Sequence, residues 1–143
     1  MGFLTPPDRL ATAPSAEVQA LEIVMLSQGL RLQIGPHPDD LCRIEDLSIG
    51  EAVWDIAAQR LVDIDAMACA TLDGEQLADL GLRPMPVPAP HGLGFLALAS
   101  TRLVQRDSHP APATGGAQVF FRLWPVSRLV AEIEGRPVLI RSA

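Results

Sequence analysis

The 143-residue sequence contains no lysine, no asparagine and no tyrosine, and all eleven of its basic residues are arginine. Taken with the abundance of alanine, glycine and proline, this points to nucleotide bias in a GC-rich, bacterial genome. Aromatics are scarce: Phe3, Trp54, Phe95, Phe120, Phe121 and Trp124 make up the full set. The core must therefore be built mostly from Leu, Val, Ile and Ala. The two cysteines, Cys42 and Cys69, show no Cys-x-x-Cys spacing. That is the pattern of a reduced cytoplasmic protein with two ordinary thiols. No apolar run approaches the ~18 residues of a membrane-spanning helix. The opening Met-Gly-Phe-Leu-Thr-Pro-Pro-Asp has no basic stretch followed by an apolar one, so no signal peptide is expected.

Other signatures are missing as well. Gly92-Leu93-Gly94 lacks the rest of a phosphate-binding fingerprint and opens a strand rather than a helix. No Ser, Cys or His sits in a nucleophile-elbow or Cys–His pattern, and there is no internal repeat. The formal net charge of −6 argues against nucleic acid as a partner, because phosphate neutralisation needs a concentrated basic surface. The charge is unevenly placed. Eleven acids fall between Asp39 and Asp79 against Arg43 and Arg60, whereas residues 84–143 carry six arginines against three acids.

What is present reads as one α+β domain. Residues 1–14 form a flexible lead-in and residues 15–143 the domain. Ser15 is placed to cap a helix running to Gln28, stopped by Gly29 and followed by a strand at 30–34. A hairpin around Ser27-Gln28-Gly29 is the rival reading. Ser48-Ile49-Gly50-Glu51 has the form of a capping box. Behind it Ile49, Val53, Ile56, Leu61, Ile64 and Met67 recur at helical spacing, which predicts a helix over about 49–70. The competing reading pairs Val53–Asp55 with Arg60–Asp65 as a hairpin across a turn at 56–59. Asp73-Gly74-Glu75-Gln76 starts a second, short helix that ends at Leu80, with Gly81 as its stop.

Alternating prolines then mark 83–92 as an extended crossover that cannot hold a ladder. Beyond it the pattern has period two. Strands are predicted at 94–105, 117–124, 129–133 and 137–141, the last two joined by a tight turn at Glu134-Gly135. The expected architecture is an N-terminal helical half packed on a C-terminal antiparallel sheet of three to five strands.

Two sets of residues are candidates for function. Phe120, Arg122 and Trp124 share one face of a strand. An exposed aromatic–arginine–aromatic row is a means of anchoring a protein partner. The competing reading is a central strand buried on both sides, with Arg122 reaching to solvent. The second set is Gly35-Pro36-His37-Pro38-Asp39-Asp40, which follows a short alternating apolar run. An imidazole and a carboxylate suit zinc, and a neighbouring carboxylate can take a proton from bound water. This segment resembles the opening motif of the LmbE-like zinc de-N-acetylases. The resemblance implies that His37 and Asp40 ligate zinc and that Asp39 is the catalytic base. Leu41 stands where that family has glutamate, and a further ligand would have to come from His91 or His109. The same residues also suit a proline-bounded turn with Asp39 or Asp40 capping a helical turn at 41–46. Asp63 and Asp65 could share a metal ion only on a strand, where positions i and i+2 face the same way.

The leading expectation is a non-catalytic cytoplasmic binding or assembly module that acts through an apolar sheet face or edge on a protein partner or as a homodimer. The alternative is a small zinc-dependent hydrolase built on His37, Asp39 and Asp40.

Overall fold

Period-two alternation organises far more of the chain than its apolar spacing suggests. The computed structural model describes residues 20–99 and 116–142. Strands make up 60% of these, and there is one short α-helix. The strands are β1 (Leu21–Ser27), β2 (Arg31–Gln33), β3 (Leu41–Arg43), β4 (Ala52–Asp55) and β5 (Arg60–Leu72). The helix α1 (Gly74–Asp79) follows, and then β6 (Leu82–Ala89), β7 (Gly92–Ala99), β8 (Gln118–Pro125), β9 (Leu129–Ile133) and β10 (Arg136–Ile140).

The strands form one sheet in the order β3-β2-β9-β10-β1-β8-β5-β4, with β7 on β1 and β6 on β7. The sheet curls into a half-barrel. Its end returns toward β9, where the Ile56 N–H donates to the Val130 carbonyl at 2.9 Å. β1 is the branch point. Leu21 and Glu22 pair in parallel with β10, the stretch from Ile23 to Leu26 pairs with β7, and Leu26 and Ser27 pair with β8.

Two cores lie on opposite faces of the sheet around β1, β7 and β8. The larger fills the half-barrel with Leu26, Leu30, Ile64, Leu96, Leu129 and Ile133, among others. The smaller packs Met25, Phe95, Ala97 and Phe120 beneath Leu77 of α1. Asp73 caps α1 with a complete capping box: it accepts from the Gln76 N–H, and the Gln76 side chain accepts from the Asp73 N–H. None of the helices among the described residues is long and apolar enough to cross a membrane.

Among the described residues the predicted N-terminal helical half is absent, and the α+β reading is corrected to a mainly β fold. Leu21–Ser27 is a strand. The predicted 49–70 helix is the β4–β5 hairpin. Its apparent stripe splits between environments: Val53 and Ile64 are buried, whereas Ile49 is 63% and Leu61 52% exposed. The Ser48–Glu51 pattern does form its local bonds, the Ser48 N–H donating to Glu51 Oε1 at 2.7 Å. Those bonds close a tight turn in place of a helix start, because a capping box needs only a reversal of the chain. Asp55, 4% exposed, sets the next turn by accepting from the Ala57 and Ala58 N–H groups at 2.8 Å each.

The prolines of 83–92 do not prevent a ladder either. β6 pairs with β7 along its whole length. Pro84, Pro86 and Pro88 occupy alternate positions, so their missing donors all face away from β7. The β9–β10 turn forms as predicted, with positive φ at both Glu134 (49°) and Gly135 (82°), the geometry of a type I′ hairpin. The lead-in, Ser15, the 100–105 end of the predicted 94–105 strand and His109 lie outside the described residues.

Candidate functional site

His37, Asp39 and Asp40 lie in the exposed β2–β3 loop. The loop is closed by its own short-range bonds. Asp40 N–H donates to the His37 carbonyl at 2.9 Å, Ile34 N–H to the Asp40 carbonyl at 2.8 Å, and Leu41 N–H to the Asp39 carbonyl at 3.0 Å. The Asp40 carboxylate accepts from the His37 N–H at 3.3 Å. Neither aspartate caps a helix, since Leu41–Arg43 is strand and a 3-10 turn begins only at Ile44. His91 is engaged elsewhere, its Nε2 accepting from Arg43 at 3.1 Å. Among the described residues no group of three His, Cys, Asp or Glu side chains is placed to hold a metal ion. The cleft beside the loop is lined in part by Arg31 and Glu134, and these two groups satisfy each other. Glu134 takes both Nε and a terminal nitrogen of Arg31, at 3.1 and 3.0 Å, as well as the Arg31 N–H at 2.9 Å.

Cys42 is no better as a nucleophile. Burial pushes its thiol pKa up, and Glu51, Asp46 and Glu45 push it further, the opposite of the shift that activates a thiolate.

Phe120, Arg122 and Trp124 do share a face of β8, but they do not form one surface. Phe120 is fully buried in the smaller core. Arg122 is exposed and Trp124 half-buried, and the Arg122 guanidinium stacks over the Trp124 ring at 4.7 Å from its centroid. On the opposite face, Phe121 and Leu123 pack against the half-barrel core.

The neighbouring strand carries a feature that the apolar spacing hides. β5 is 13 residues long, but only around Asp63 and Ile64 does it have neighbours on both edges. Ile64 faces β4: its N–H donates to the Glu51 carbonyl and its carbonyl accepts from Gly50, both at 2.9 Å. Asp63 faces the other way, its carbonyl accepting from the Val126 N–H at 2.9 Å. β4 and β8 therefore lie on opposite edges of β5. After a register shift between Ile64 and Ala66, β5 continues against β8 alone as far as Leu72 opposite Gln118.

The outward groups follow from strand alternation. The Val119 carbonyl accepts from Gln28 N–H on the β1 side at 2.8 Å. Phe120 and Arg122 must then turn their peptide groups toward β5, where Ala70 and Ala68 lie opposite them. Met67, Cys69 and Thr71 consequently direct N–H and C=O outward, and among the described residues no strand pairs with that edge. Ala68, Cys69, Ala70 and Thr71 are exposed whichever face they occupy. Asp63 and Asp65 are strand residues and both exposed, at the end of this edge nearest β4.

The strands that end the sheet are treated differently. β3 is only three residues long. β4 curls back to β9. β6 presents prolines outward. Short length, coverage and proline are standard guards against edge-to-edge pairing. The Ala66–Leu72 edge has no proline and no charge. Comparison with protein-family models, curated proteins and solved structures finds no significant match, so the functional reading rests on this geometry.

Proposed function

We propose that the chain is a non-catalytic binding or assembly module that takes up an extended strand at the open edge of β5. In strand addition the main-chain groups of the edge supply affinity, and pockets beside it read alternate side chains. The observation that carries the reading is the contrast between β6 and β5. One outer edge is closed by three alternate prolines. The β5 edge leaves three residues of donors and acceptors without a partner strand among the described residues, with alanines on one face and Cys69 and Thr71 beside the half-buried Met67 on the other. The outer face adjoining the edge is low, with Ala66, Ala68 and Ala70 opposite Trp124, Arg122 and Phe120. The Arg122–Trp124 stack stands beside this alanine row as a polar and aromatic flank for an arriving strand.

Amide hydrogen exchange on dilute protein tests the reading residue by residue. Met67, Cys69 and Thr71 are expected to exchange fast, while Ala68 and Ala70, bonded to β8, exchange slowly. Protection of all five amides in a sample shown by light scattering to be monomeric would mean that the edge is already occupied, and would reject the proposal.

A further inference from the structure

Resting on the reading of β5 as a docking edge, we propose that its occupant is a second copy of this chain, paired antiparallel about a two-fold axis at Cys69. The outward-facing residues Met67, Cys69 and Thr71 are evenly spaced about Cys69. Antiparallel self-pairing therefore sets Met67 opposite Thr71, Cys69 opposite Cys69, and Thr71 opposite Met67. Every free donor on each edge then meets a free acceptor, as an isologous contact requires. Any shifted register leaves at least one of the three residues without a partner of the same kind.

The side chains permit the approach. Ala66, Ala68 and Ala70 carry one face; on the other, Cys69 and Thr71 are small and exposed, and Met67, the one long side chain, is partly buried against the half-barrel core of its own copy. Between Ala66 and Leu72 there is no charge, so no like charges face each other inside the ladder. Asp65 of one copy comes near Asp73 of the other only at the two rims. The edge inventory supplies the last argument. The terminal strands β3, β4 and β6 are short, covered or proline-guarded. Pairing at β5 thus consumes this edge of each copy, and among the described residues the strands that end the sheet offer no comparable one to propagate. A second copy closes the assembly at two, whereas an unguarded edge on a free monomer invites uncontrolled pairing.

The test is sedimentation equilibrium of the full chain from micromolar into the millimolar range, at low and high salt. A reversible monomer–dimer equilibrium is expected, and it tightens with salt because screening relieves the Asp65–Asp73 rims. Cys69→Pro removes one N–H per copy from the interface and none from the β8 ladder. At about one kcal/mol per hydrogen bond, losing two raises the dissociation constant about thirty-fold. Cys69→Lys places two ammonium groups opposite each other and is expected to dissociate the dimer as well. Circular dichroism and the melting temperature check that both variants remain folded. In a Cys42→Ser background, a short bismaleimide is expected to join two chains through their Cys69 thiols.

A chain that stays monomeric at the highest concentration overturns the second copy as occupant. If Met67, Cys69 and Thr71 then exchange fast, the docking edge itself survives; if they are protected, both readings fall. A dimer indifferent to Cys69→Pro and Cys69→Lys also overturns the proposal.

Discussion

Truncating Phe120 and Trp124 separately distinguishes a core residue from a surface residue on one strand face. Phe120 is fully buried, packed with Met25, Phe95, Ala97 and Leu77 of α1. Replacing a buried phenylalanine by alanine costs about 3–5 kcal/mol, the lost transfer energy plus the cavity that remains. Trp124 is half-buried, and its ring carries the Arg122 guanidinium stack. Truncating it removes part of one aromatic surface and an exposed cation–π contact, together about 1–2 kcal/mol. At this chain length one kcal/mol moves the melting temperature by roughly 2–4 °C. Phe120→Ala is therefore expected to melt roughly 10 °C below the parent, and Trp124→Ala only a few degrees below it. Urea denaturation supplies the free energies, provided the slopes are unchanged. Phe120→Leu, which keeps most of the volume, serves as the milder variant if the alanine chain does not accumulate. A cost below about 1 kcal/mol for Phe120→Ala, or equal costs at both positions, would show that α1 does not seal the second core as described.

Other perturbations probe the remaining contacts. Glu134→Asn relieves a left-handed φ of 49° but loses the three bonds to Arg31. Relief is worth about 1 kcal/mol and the clamp about 2–3, so a net loss of about 1–2 kcal/mol is expected by urea denaturation; a stabilised variant would show that the clamp is idle. Gly94→Ala brings a Cβ to 2.5 Å from Leu30 Cδ2 and 3.3 Å from Ser27 Oγ. Leu30 is fully buried and cannot yield freely, so a loss of about 1–3 kcal/mol is expected, and a neutral result would mean that the β1–β7 contact is loose. The Arg141 hydrogen bond holds the Glu22 carboxyl below its ordinary pKa. A lowered acid stabilises the folded chain above its unfolded pKa and loses that contribution as pH falls through the folded value. Arg141→Gln should return the Glu22 titration, read by NMR, toward the ordinary range, and its stability deficit should vanish in acid. Pro86→Thr with Pro88→Thr restores two outward N–H groups on β6. Light scattering is expected to show new, larger assemblies, and unchanged scattering would mean that the prolines guard nothing.

The legible parts of the fold are those with local causes. The β9–β10 turn was readable because Glu134-Gly135 separates two alternating runs. α1 was readable because Asp73 and Gln76 bond to each other before any tertiary contact forms. The β4–β5 hairpin carries a helix-like signal for the same kind of reason. The Ser48–Glu51 bonds are equally local and serve a turn as well as a helix, and a long strand with Val62 and Ile64 inside happens also to carry apolar residues at helical intervals. On β6 the alternate prolines bar pairing at one edge of the strand only, and the other edge carries the full ladder to β7. The His37–Asp40 motif was visible as residue types, but the absence of His91 from its vicinity is a matter of topology. The open edge was invisible for a related reason. It arises because β4 begins only at Ala52, opposite Asp63, while β5 runs on to Leu72, and no residue type encodes the difference in length between two strands.

That overhang is held more firmly than its exposure suggests. A strand with one neighbour and both faces in water belongs to the low-stability end of a structure. Here both ends are fixed. Ile64, 1% exposed, is buried in the half-barrel core. Leu72 packs against the second core, and the next residue, Asp73, is locked as the cap of α1. Between these anchors an uninterrupted register runs with β8 from Ala66 opposite Trp124 to Leu72 opposite Gln118. The outward groups of Met67, Cys69 and Thr71 are thus already in strand geometry before anything docks. Ordering costs that a flexible segment would incur on association are largely absent. An edge held extended by core contacts at both ends and free of prolines needs little reordering to accept a pairing strand.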